Sequence, residues 1–209
     1  MKAPADGGPH TPLPPADLAT RDLEPFPLPP QWLLRIHWPG RALYFGPDAG
    51  KPPAGRFDAP AGEYRVHYSG HTFAGAFVET FLRQGHPTIL AWSDLAAREV
   101  SVLETTRLLR IMPIHGAWLQ RLGATAAVAS GPYGPSRQWG LALWLWRQNL
   151  EPLEGIQYPS RHDDDQRCLA IFDHAASALT VVSTESLGGR YQEILALQRA
   201  YRFGLDLDA

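Results

Sequence analysis

The sequence predicts a mixed α+β domain, and three observations carry that expectation. Short apolar segments of strand length are numerous, many follow one another without a helix between them, and segments of helical period separate the others. Regular βαβ winding would instead place a helix after every strand. The first strand is WLLRIHW (32–38), followed by EYRVHYS (63–69), where Tyr64, Val66 and Tyr68 share one face and Arg65 and His67 the other. TFAGAFVETFLRQ (72–84) changes period, because Phe73, Phe77 and Phe81 recur every four residues as on a helix. TILAWS (88–93), REVSVLE (98–104) and RLLRIMPI (107–114) read as further strands, and a short helix follows at Ala117–Leu122. After the turn SGPYGPS (130–136), Pro135 is placed to open a helix over 136–148 that puts Trp139, Leu143 and Trp146 on one face. Strands at 155–160, 167–173 and 179–183 and a last helix at 190–203 complete the pattern.

The bulk composition sets bounds on this domain. A chain of 209 residues, 44% apolar with seven Trp, suits one domain with a substantial core. Nine of its 20 prolines fall within residues 1–30, which predicts a flexible or loosely laid extension there. The formal charge of −2 gives no basic excess for direct nucleic acid binding. Neither an apolar signal segment nor a run of 18 apolar residues is present, so the expected setting is cytoplasmic, without a membrane. The lone Cys168 has no partner for an internal disulfide and lies in apolar sequence as a structural residue would.

Familiar catalytic signatures are missing: there is no G-x-G-x-x-G after a strand, no phosphate-binding loop, no H-E-x-x-H, no C-x-x-C and no G-x-S-x-G. The RHDDD run (161–165) bunches its His and Asp residues in one turn, a solvated charged turn rather than a metal ligand set, and no metal is expected. Five polar residues stand where apolar ones would be expected. Arg35 interrupts a strand, Arg56 sits in the bend AGRFDAP, Tyr68 ends a strand, Glu79 flanks the phenylalanine stripe, and Ser160 closes the strand GIQYP. Taken singly, each has an ordinary explanation: a snorkelling Arg35, a turn-capping Arg56, an i,i+4 pair between Glu79 and Arg83, a turn-starting Ser160.

Together they form a pattern. The segments LLRIHW, GRFDAPAGEYRVHYSG, AFVETFLR, GATAAVASGPYGPSRQWGLAL and GIQYPSRHDDDQRCLAIFD occur in that order over about residues 32–175. This arrangement resembles the RES-domain family, named for an Arg, a Glu and a Ser, whose members are toxins of bacterial toxin–antitoxin pairs. The last segment is the most specific. The resemblance implies an ADP-ribosyltransferase-like fold, a mixed β core surrounded by helices, with residues 31–209 as one RES domain carrying a C-terminal helix. It also implies consumption of NAD by cleavage of the nicotinamide–ribose bond, or transfer of ADP-ribose to a protein. A non-catalytic interaction module with a degenerate site is the reading from another class. The family site maps onto Arg35, Arg56, Tyr68, Glu79 and Ser160, with Glu79, Arg56 and Ser160 as the catalytic set. NAD enters as substrate, and the implied partner is a helix-turn-helix antitoxin in a hetero-oligomer. The sequence departs from the family pattern at Asp58, where Asn is common, and at Gly70 and His71.

The residue types suit this chemistry. Losing nicotinamide builds positive charge on the ribose, which a nearby carboxylate stabilises more in the transition state than in the ground state. Guanidinium forks match the two phosphates of a dinucleotide. An aromatic ring at Tyr68 offers a surface for the nicotinamide.

Overall fold

The computed structural model describes residues 11–83, 88–147 and 150–208. One eight-stranded sheet carries the architecture. In chain order its strands are β1 (Phe26–Leu28), β2 (Trp32–His37), β3 (Val66–Gly70), β5 (Glu99–Thr105), β6 (Leu109–Pro113), β7 (Gly155–Pro159), β8 (Arg167–Phe172) and β9 (Leu179–Ser186). They lie side by side as β1-β6-β7-β8-β3-β2-β5-β9, and every neighbouring pair is antiparallel except β6 and β7. Two short strands, β4 (Ile89–Ala91) and β10 (Gly204–Asp206), form a separate parallel pair. Among the described residues, six α-helices flank the strands: α1 (Phe73–Phe81), α2 (Trp92–Ala96), α3 (Ala117–Leu122), α4 (Ala127–Ser130), α5 (Tyr133–Leu145) and α6 (Tyr191–Tyr201). The α+β expectation therefore holds, with a mixed sheet covered by helices.

The period-two rule shows on β8. Cys168, Ala170 and Phe172 enter the core beneath α5, while Leu169 and Ile171 enter a second core with Leu33, Leu103, Leu109 and Ile111. Helix α5 buries Trp139 and Leu143, with Trp146 just past its end, all fully enclosed and on the shared face that the sequence predicts. A third core lies under α1, where Phe77 is enclosed and its ring sits 5.1 Å from Phe81 and 5.5 Å from Phe203, between α6 and β10.

One irregularity in the sheet positions everything that follows. β2 pairs with β5 along its whole length, and β3 pairs with β8 over five residues, yet β2 and β3 meet only at Leu34 and Gly70. Beyond that point the two strands diverge. Helix α1 packs against both of them, held close because a Cβ on Gly70 would come within 2.6 Å of the Ala76 main-chain nitrogen. Thr72 caps the helix by accepting from Gly75 N at 2.9 Å.

Three local expectations are corrected. TILAWS (88–93) is a strand only over Ile89–Ala91, and Trp92 already opens α2. Helix α5 begins at Tyr133, so Pro135 lies inside its first turn rather than at its start. Residues 11–30 do not form a flexible extension. Leu18, Leu23 and Leu28 are buried, β1 adds to the sheet edge on β6, and Trp139 Nε1 donates to Pro12 O at 2.7 Å. Proline explains how: it keeps the segment extended, and apolar anchors between the prolines then seat it. Residues 1–10 lie outside the described residues.

Two outcomes test this packing. Each buried leucine of the arm contributes about 1.5–3 kcal/mol, so a chain beginning at residue 29 is expected to unfold at least about 10 °C lower by scanning calorimetry; an unchanged midpoint would restore the flexible reading. The second concerns His67, which is fully buried, donates through Nδ1 to the Tyr44 carbonyl, and is held by burial well below the usual imidazole pKa. Unfolded, it titrates near about 6.5, so the stability tied to its neutral form is complete above that pH. It is lost as pH falls further, at up to about 1.4 kcal/mol per pH unit. Denaturant midpoints should therefore decline below about pH 6.5, and His67→Phe should flatten the decline.

Candidate functional site

The divergence of β2 and β3 opens a cavity of about 380 Å³ lined by strand, loop and helix residues, among them Arg35, Arg56, Tyr68 and Glu79. Four of the five sequence-predicted residues thus share one cavity. Ser160, the fifth, is 1% exposed and stands directly behind Glu79, with its Oγ donating to Glu79 Oε1 at 2.6 Å. Ser160 Oγ also accepts from His162 N at 3.2 Å, and its own N–H is held by Gln166 O at 2.9 Å. The hydroxyl is therefore oriented from both sides toward the carboxylate. The alternative i,i+4 pairing is absent as an ion pair, because Arg83 Nε donates to the main-chain carbonyl of Glu79.

Arg35 occupies the gap where the strands part. Its Nη1 donates to Tyr68 O at 2.6 Å, a carbonyl that β2 would otherwise pair. Its Nε is buried with no hydrogen-bond partner, and burial pushes its pKa down to about 10. Arg56, only 6% exposed, donates through Nη1 to Gly131 O at 2.6 Å and to Ser136 Oγ at 3.2 Å, and its guanidinium lies 4.7 Å from the centre of the Tyr133 ring. Its Nη2 is likewise buried without a partner, and burial lowers its pKa. Neither arginine makes an ion pair among the described residues. Two desolvated cations with unspent donors around one cavity suit an anion with many oxygens.

The sign of the whole cavity reinforces this. Arg41, Arg83 and Arg98 join Arg35 and Arg56 in its lining, and among the described residues Glu79 is its one carboxylate. A chain with a net charge of −2 thus concentrates positive charge at this site.

Tyr68 does two things. The residue lines the cavity, while its hydroxyl donates to Asp58 Oδ1 at 2.8 Å and accepts from Phe57 N at 2.9 Å. Burial, followed by the Asp58 charge, raises its pKa well above the usual phenol value, so the hydroxyl stays protonated. Asp58 was singled out in the sequence only as a departure from the family pattern, but it organises the bend. Its Oδ2 accepts from Ala54 N at 2.8 Å and Gly55 N at 2.6 Å, which fixes the loop that delivers Arg56. Gly55 is required there, since a Cβ would lie 2.5 Å from the Tyr68 hydroxyl and 2.6 Å from Asp58 Oδ1. Further lining residues that the sequence did not reveal include Trp38, Tyr133 and Tyr158. Each reads as a core aromatic in one dimension, and only the fold turns it toward the opening. Among the described residues no cluster of His, Cys, Asp and Glu is arranged to hold a metal ion, and no helix is long and apolar enough to cross a membrane.

Comparison with known proteins identifies the family and the fold. A family model described as the RES domain matches residues 31–192. No curated protein matches the chain. Among solved structures, the toxin chain in the crystal structure of the M. tuberculosis MbcT–MbcA toxin–antitoxin complex superposes with a TM-score of 0.65 at 15% identity, covering 87% of this chain and 98% of that one. At that identity the likeness establishes the fold.

Removing the Asp58 carboxylate tests the loop. Asp58→Ala leaves two main-chain N–H groups and a phenol without their acceptor, so amide exchange at Ala54 and Gly55 should accelerate by about tenfold or more. Exchange unchanged at both amides would show that the bend holds itself.

Proposed function

Because the chain belongs to the RES-domain family, we propose that it is the toxin of a toxin–antitoxin pair and consumes NAD by cleaving the nicotinamide–ribose bond. The observation that carries this reading is Glu79, a lone carboxylate fixed by Ser160 in a cavity otherwise rimmed by guanidinium groups. A cavity meant only for an anion has no use for a carboxylate. A substrate that is anionic at its phosphates and becomes cationic at one sugar needs both.

In this reading the buried N–H groups of Arg35 and Arg56 take the pyrophosphate and neighbouring ribose oxygens, which would satisfy donors that have no protein partner. The ring of Tyr68 lies against the nicotinamide, since its hydroxyl is already committed to Asp58. Glu79 stands beside the nicotinamide ribose. As the C1′–N bond breaks, nicotinamide leaves as a neutral molecule carrying the bonding electrons, and the charge left on the sugar faces the carboxylate. An acceptor oxygen then forms the new bond to C1′, and its proton passes to solvent. Ser160 acts through Glu79 as a positioning residue: a donor at 2.6 Å fixes the carboxylate rotamer before substrate arrives. No strong general acid is required, because the leaving group is neutral once departed.

The likeness to the toxin of the MbcT–MbcA complex supports the pairing with an antitoxin protein. A helix-turn-helix antitoxin and a hetero-oligomer extend the same reading, and with a charge of −2 the chain itself is assigned no contact with nucleic acid. Protein ADP-ribosylation uses the same bond cleavage with a protein side chain as acceptor.

Nicotinamide release from NAD by the purified chain is the test. Glu79→Ala and Arg56→Ala are each expected to reduce the rate by about 10²–10³-fold, and Ser160→Ala by about tenfold or more. Undiminished turnover in both Glu79→Ala and Arg56→Ala would remove the assigned roles. Parallel reactions with added phosphate, and with a protein extract, identify whether water, phosphate or a protein receives the ADP-ribose.

A further inference from the structure

A second aromatic surface stands at the cavity rim, and nothing in the proposed cleavage uses it. Trp38 follows β2, lines the cavity, and leaves 50% of its surface exposed. Trp32 is more exposed still, at 65%, but of the two only Trp38 lines the cavity, where an indole face can meet a bound ring. One neighbour is already in place: the Arg98 guanidinium lies 3.6 Å from the ring centre. Arg98 also lines the cavity, its Nε is buried without a hydrogen-bond partner, and it forms no ion pair among the described residues.

The turn that carries Trp38 is braced from beneath by a polar chain whose direction can be read. Trp38 O accepts from His37 Nδ1 at 2.8 Å, so that nitrogen carries the proton and Nε2 is an acceptor. Ser101 Oγ donates to Nε2 at 2.8 Å, and Ser101 in turn accepts from Thr184 Oγ1 at 2.6 Å. His37 and Ser101 are both buried. From the other side of the turn, Gly40 N donates to Glu99 Oε2 at 3.2 Å, and Arg41 N closes the turn on Trp38 O at 3.1 Å. Four residues from β2, β5 and β9 thus fix the turn that carries the exposed indole, and Arg98 lies against its ring.

We propose that Trp38, backed by Arg98, is the stacking platform for the adenine of the dinucleotide. This inference rests on the NAD reading of the same cavity. NAD carries two flat bases joined by a pyrophosphate, and Tyr68 with Glu79 serves the nicotinamide end. A second aromatic face on the rim, next to a cation with a free donor, fits the adenosine half. Trp38 is therefore a specificity-determining residue: it favours dinucleotides over nicotinamide mononucleotide.

Calorimetric titration with ADP, which holds no scissile bond, tests the platform apart from the reaction. Trp38→Ala should weaken ADP binding by about 5- to 100-fold, and Trp38→Phe should retain most of the affinity. In nicotinamide release, Trp38→Ala should raise KM for NAD by a similar factor while leaving kcat/KM for nicotinamide mononucleotide within twofold. Absence of ADP binding in the wild type, an unchanged ADP affinity in Trp38→Ala, or an equal loss with the mononucleotide would each overturn the platform. ADP binding that depends on Trp38, in a chain that releases no nicotinamide, would keep the platform and remove the reaction.

Discussion

A guanidinium withdrawn from water without a carboxylate of its own is the constraint around which this molecule is arranged. Arg35 and Arg56 are both held by carbonyls and a hydroxyl, which accept hydrogen bonds but carry no countercharge. Each keeps one buried nitrogen unsatisfied. Left alone, such a pair destabilises the fold. The rest of the structure has to hold them there: the seam between β2 and β3 gives Arg35 its carbonyl, and the Asp58 bend delivers Arg56 to α4 and α5. Surrounding packing thus sustains a desolvation cost that an anionic ligand would relieve under the proposed function.

The single acid is controlled as closely as the bases. Glu79 rides on α1, whose seat against β3 depends on the missing side chain of Gly70 and on the cap at Thr72. Thr72 Oγ1 also donates to Gln166 Oε1, and Gln166 O holds the Ser160 N–H. The cap of the helix that carries the acid and the strand end that carries its hydroxyl donor are thereby tied to one residue. The RHDDD turn beside them braces the site: its Asp163 accepts from Tyr201 Oη of α6, and its His162 N–H steadies Ser160. A run that reads as mere solvated charge along the chain helps set the geometry of the acid.

Aromatic residues divide between core and cavity by a rule that linear patterning does not contain. Trp139 and Trp146 share a helical face and are wholly enclosed. Trp38, equally apolar and at a strand end, stays half exposed because β2 ends there and the chain turns on a Gly40 whose φ is +75°. Tyr158 points from β7 into the site, and burial raises its pKa well above the usual phenol value, so it presents a neutral wall.

The sequence by itself determined the elements and the chemical cast. Periodicity of two on 63–69 and of four on Phe73, Phe77 and Phe81 located a strand and a helix, because side-chain spacing follows directly from backbone geometry. Arg35, Arg56, Tyr68, Glu79 and Ser160 stood out because polar groups inside apolar elements need a reason. Short-range signals misplaced the end of TILAWS and the start of α5, and proline content concealed that residues 11–30 are seated on the domain by three leucines. Which residues meet was decided only by tertiary structure: the opening of the sheet between β2 and β3, the hydrogen bond from Ser160 to Glu79 across 81 positions, and the convergence of Arg98 on Trp38. The physical reason is that a strand or helix is specified by neighbours a few residues away, whereas a site is made by long-range packing, whose distances no local pattern records.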